Sequence, residues 1–397
     1  LSSGSAAITF TGALGASTSL GGLTVNSAGA GNITFSSTIG DAENAGVVGT
    51  TAIGNAATND LNFNSTIYSF NGATTITAKS GDTIDLGAGA ATQFLTSNDN
   101  ITFATGNIEL ANGSNLTVDT GAEGGNITIG EIDGASQETV TLDAGTGTTS
   151  VGVIGSGTEI GVLTIGSSDN GGITLNGAIT TDGAVTIDGP VTLATGAVSV
   201  TTANDAITFN HSIDGTQSLT LESGSAAITL DGAIGADAIL TGLSVNATDG
   251  SGGSTGTIEI TNIGDADAEG VNTGAISIGN ANTATLTLDG TIYKTDVAQT
   301  YTAATGQNID ITGAATFTTT NDAVAFNTAG VDLINGNAGG AHTITVDTGT
   351  GAGAVTFGGA IESDGGDDET LTITSGTGTV TFTGALGATQ ELSLIHI

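Results

Sequence analysis

The chain has 397 residues, with 66 Gly, 1 Pro, no Cys, Met or Trp, 38% hydrophobic residues and 4% aromatics. Asp and Glu number 39 against 2 Lys and Arg, a formal net charge of −37, which argues against nucleic-acid binding and against adsorption to anionic lipid, since both need cationic contacts. The lack of Cys excludes a disulfide framework, and no apolar run approaches the ~18 residues needed to span a bilayer.

Read from the N-terminus, the chain beats in short apolar-Thr-apolar triplets. They are Ile8-Thr9-Phe10, Ile33-Thr34-Phe35, Ile101-Thr102-Phe103, Ile173-Thr174-Leu175, Ile207-Thr208-Phe209, Leu219-Thr220-Leu221, Leu286-Thr287-Leu288 and Val355-Thr356-Phe357. A period of two predicts strands with the apolar side chains inward and Thr outward. Gly, Asn and Asp fill the gaps and suit turns. No sustained 3.6-residue period is present, so very little helix is expected. Beats arrive roughly every ten residues. Two or three per turn make a coil of roughly 20–30 residues stacked at about 4.8 Å, a parallel β-helix (β-solenoid) built from tandem repeats. Antiparallel hairpins are the rival. Against them, seven of the 11 Phe close an Ile/Val-Thr/Ala-Phe triplet: Phe10, Phe35, Phe103, Phe209, Phe326, Phe357 and Phe382. Equivalent positions stacking coil upon coil would account for that.

A longer repeat overlies the beats. "SGSAAITFTGALGA" from Ser3 returns as "SGSAAITLDGAIGA" from Ser223, and "SGTGTVTFTGALGA" from Ser375 is a third start. A weaker copy begins with Gly152, in the block near 145. Between the first two, Ile39-Gly40-Asp41-Ala42 returns as Ile263-Gly264-Asp265-Ala266 and Thr66-Ile67-Tyr68 as Thr291-Ile292-Tyr293. Residues 1–391 therefore read as one continuous array with no unique domain.

The last six residues break the pattern. "LSLIHI" stands where the earlier copies have a Gly-Gly-Leu-Thr-Val-like stretch. It is also the translation of CTG TCT CTT ATA CAC ATC, the end sequence of a transposase used to make sequencing libraries. Residues 392–397 are therefore expected to be adapter read-through, and the chain a fragment of a longer protein. His396 then carries no functional argument.

Few residues look chemical. His211 and His342 occupy non-equivalent places in the array, with no Cys partner, and read as loop histidines. The acidic runs "GDADAEG" (264–270) and "ESDGGDDE" (362–369) are the places where a hard cation could find several oxygens on a flexible loop. Neither fits an EF-hand loop or the Gly-Gly-x-Gly-x-Asp solenoid nonapeptide, so diffuse counterion attraction is the first reading. If a Ca²⁺ site exists, its candidate ligands are Asp364, Asp367, Asp368 and Glu369. No other cofactor is implied. A glycosidase-like site needs paired carboxylates with sugar-binding aromatics, and only three Tyr are present, Tyr68, Tyr293 and Tyr301, with no Trp. The chain is not expected to be an enzyme. Outward Thr rows raise ice binding as an alternative, set against one outward Thr per strand.

The Ile-Thr-Phe, "GAIGA" and "LTV" beats resemble the large repetitive surface proteins of bacteria, the filamentous-haemagglutinin-like and autotransporter-type adhesins. The likeness covers nearly the whole chain and lies in composition and beat. It implies an extracellular stalk or adhesin at the outer cell surface. Its partners would be host or neighbouring-cell surfaces or matrix components. Uncapped ends would expose unpaired strand edges, so end-to-end self-association is also expected, and the lack of a long apolar run implies no membrane insertion by this segment. A cation-binding surface layer and a solenoid carbohydrate-active enzyme are the remaining alternatives.

Overall fold

The computed structural model is all-β, with no helix among the described residues. It describes residues 1–135, 137–246, 256–334, 342–363, 369–392 and 394–396, with backbone alone at 246 and 394–396. The chain divides into two compact units, Leu1–Thr192 and Leu193–Ile397. Each is a β-solenoid whose turns have three sides, and the strand pairings along each side are parallel, in register and between successive turns. Hairpins are thereby ruled out.

In the first unit one side runs Ile8, Ile33, Leu61, Ile84, Ile108, Ile132, Ile154, Ile179, each opposite the next. The turn length varies from 22 residues (Ile132 to Ile154) to 28 (Ile33 to Leu61), inside the expected range. A second side carries Leu23, Thr51, Thr74, Ile101 and Ile127 in register, and a third carries Tyr68, Phe94, Val118, Leu142 and Ile165. The second unit repeats the plan, with one side running from Val198 through Leu219, Leu243, Ile276, Gln299, Val324 and Val355 to Val380.

The alternation follows the expected rule. Ile207 and Phe209 are buried while Thr208 between them is half-buried, and Thr9, Thr102 and Thr287 likewise face outward. Burying an Ile or Phe stabilises by about 1.5–3 kcal/mol, so a row of such residues per side holds each turn to its neighbours.

The Phe expectation needs correction. Phe10, Phe35 and Phe63 do stack, at 4.9 and 5.3 Å between ring centres, and Phe326, Phe357 and Phe382 do so at 5.0 and 5.5 Å. Phe103 instead lies on another side between Ile76 and Ile129, and Phe209 lies opposite Leu230. The long repeat is also out of step with the turns. Within the second unit, the copy from Ser223 puts Ile228 on the side of Ile207 and Ile258, whereas the copy from Ser375 puts Val380 on the side of Val355. All three sides ask for the same thing, an apolar residue at every second position, so a copy can sit on any of them.

The corners recur with the long repeat. In residues 39–46 the Asp41 carboxylate accepts the Glu43 and Asn44 amides at 2.9 and 2.7 Å; in 263–270 Asp265 accepts those of Asp267 and Ala268 at 2.7 and 2.6 Å. Gly46 and Gly270 close these corners, since a Cβ there would lie 2.2 and 2.4 Å from the Gly40 and Gly264 nitrogens. At the C-terminus the backbone of Leu394–His396 forms a strand parallel to Thr370–Thr374, with Ile395 opposite Leu371.

Candidate functional site

The acids proposed from sequence fare differently. Asp364, Asp367 and Asp368 lie outside the described residues. Glu369 is fully buried rather than presented to a loop, and it accepts a hydrogen bond from the Ser363 hydroxyl. Asp265 spends its carboxylate on its own corner, and these two backbone amides hold its pKa below the ordinary carboxylate range. His211 is half-buried and engaged, and His342 is half-buried with its carbonyl accepting the Thr370 amide at 2.8 Å. Among the described residues, no group of three or more His, Cys, Asp or Glu converges as a metal ion would require.

The structure brings other acids together. On one side of the first unit the outward positions of successive turns read Asn62, Asp85 and Glu109 in register, followed by the buried Asp133, whose carboxylate accepts from Asn107 and the Gly157 amide. On one side of the second unit they read Asp310, Asp332 and Glu362. Strands lie about 4.8 Å apart, so these are rows of like charges, and like charges directly opposite destabilise a sheet. Burial first, and then the charge of Asp60, pushes Asp85 up, partly offset by a hydrogen bond from Thr83. Burial, then Asp85, Asp133 and Asp60, pushes Glu109 up. Burial and then Asp332 raise Asp310; burial and then Glu362 raise Asp332, partly offset by Asn308. Glu362 goes the other way, because the Gln390 and Thr389 amides bond to its carboxylate at 3.0 Å each.

Around Glu109 the surface is shallow. One groove of about 390 Å³ is lined by Asp82, Thr83, Asn107, Glu109 and Glu131, and another of about 410 Å³ by Asn62, Asp85 and Glu109 among others. Carboxylates spaced along a row can share protons and concentrate cations near the surface. They do not form a closed set of ligands.

Hydroxyl rows occupy other sides. Thr24, Ala52, Thr75, Thr102, Thr128, Ser150 and Thr174 stand in register on the first unit. Ser199, Thr220, Ser244, Ser277, Thr300, Ala325, Thr356 and Thr381 do so on the second. Each is a single file.

One motif was legible but missed. Thr-x-Asn-Asp occurs at 96–99, 202–205 and 319–322. Each time the Thr hydroxyl donates to the Asp carbonyl at 2.5 Å, and the Asn sits at positive φ (69°, 92° and 67°). The Asn side-chain oxygen then accepts an amide from the next turn, that of Glu123, Ser225 or Gly351, at 2.8, 3.2 and 2.6 Å. Polar residues at corners are thus committed to joining turns.

No known protein family, curated protein or solved structure matches the chain.

Proposed function

We propose that this chain is a spacer length of an exported, surface-attached bacterial repeat protein of the filamentous-haemagglutinin-like or autotransporter-adhesin kind, lying outside the cell and setting reach while binding is delegated elsewhere. The observation behind this reading is the reuse of one turn plan. The same corner chemistry serves Asp41 and Asp265, and Asn98, Asn204 and Asn321. In such a plan stability and length add turn by turn. The corner side chains Asp41, Asp265, Asn98, Asn204 and Asn321 are spent on backbone amides of the chain itself, and the exposed acids keep the surface soluble and self-repelling.

Binding assays on the purified chain test it. Glycan arrays, matrix proteins and whole cells should show no saturable binding. Saturable binding abolished by one outward substitution such as Glu109→Gln would replace the spacer reading with a ligand-binding one. In parallel, inserting four tandem copies of residues 84–107 should leave the protein folded and lengthen it by roughly 19 Å.

A second reading has one observation behind it. In-register hydroxyl rows on each unit suit a flat periodic partner such as ice, and thermal hysteresis in a freezing-point assay would support it.

A further inference from the structure

We draw no further inference here: the strongest candidate beyond the acid rows already described, the side-chain cluster of His342, Ser363 and Glu369 at a corner of the second unit, where the His342 ring and the Glu369 carboxylate each keep a buried atom with no hydrogen-bond partner, carries nothing because it depends on the adjoining stretches 335–341 and 364–368, which lie outside the described residues.

Discussion

Residues 66–78 and 291–303 are the same stretch of the long repeat, yet they fill their cores differently. In the first, Tyr68, Phe70, Thr74 and Ile76 are buried. The Tyr68 hydroxyl accepts the Ser65 amide at 2.9 Å, and the Thr74 hydroxyl turns back to the Gly72 carbonyl at 3.1 Å. In the second, Tyr293, Thr295, Gln299 and Tyr301 stand at those places, equally buried. The loss of the Phe70 ring is matched by the gain of a Gln side chain and a Tyr ring. The Gln299 amide donates to the carbonyls of Tyr293 and Thr318 and to the Thr295 hydroxyl at 2.9–3.0 Å, and its oxygen accepts from the Tyr301 hydroxyl at 3.1 Å. A polar residue can thus take an inward place in the Ile276–Gln299–Val324 row because nearly every polar atom it brings finds a partner.

The largest expected effect comes from an inward polar group with no such partners. Ile207→Asp buries an unpaired charge and should cost about 4 kcal/mol or more, while Thr208→Asp, one residue on and facing outward, should change stability by about 0.5 kcal/mol. Chemical denaturation compares them directly; equal effects would undo the inward-outward assignment on which the comparison rests.

Next comes the network itself. Gln299→Ala leaves several buried groups unpaired, at about 1–3 kcal/mol each, so a loss of roughly 3–5 kcal/mol is expected, against about 1 kcal/mol or less for Thr74→Ala. Installing the other solution whole, as Thr295→Phe with Gln299→Thr and Tyr301→Ile, should recover most of that loss. A triple variant no more stable than Gln299→Ala would show that the two stretches differ in backbone as well as in side chains. Tyr301→Phe removes one donor and keeps the ring stacked on Phe326 at 5.3 Å between centres, and should cost only about 1 kcal/mol.

The smallest effect concerns the outer surface. Asp310 and Asp332 have pKa values raised above those of the unfolded chain. Between the ordinary carboxylate range and the raised values the native state holds more protons, so stability falls as pH rises through that window and returns on acidification. Asp332→Asn should stabilise the second unit by about 0.5 kcal/mol at neutral pH, with the gain shrinking as the wild-type carboxylate protonates. A gain that persists below that window would assign it to something other than charge.

Much of this fold was legible because its rule is short. Thr9, Thr102 and Thr208 face outward because every second residue must. The same shortness hid the phase of the long repeat, since Ile228 and Val380 meet identical demands on different sides. Gln299 could not be read as inward, because a period-two scan scores it as polar and its partners Tyr293 and Thr318 become neighbours only when the turns stack. The rows Asp85–Glu109 and Asp310–Asp332 were invisible for a related reason: their members are separated by 24 and 22 residues and meet only across a ladder. The local run at 362–369 drew attention because its acids are adjacent in sequence, yet its one described inward member, Glu369, is buried against Ser363.

The stack itself can be measured with spin labels, since the chain has no Cys to compete. On the first unit, Thr24 and Thr128 are four ladder steps apart, Thr24 and Ser150 five, and Thr24 and Thr174 six, all outward on one side. Pulsed dipolar spectroscopy on the three double-Cys variants should give distances near 19, 24 and 29 Å, a growth of about 4.8 Å for each added turn. Distances that fail to increase in that order would contradict a parallel stack of turns.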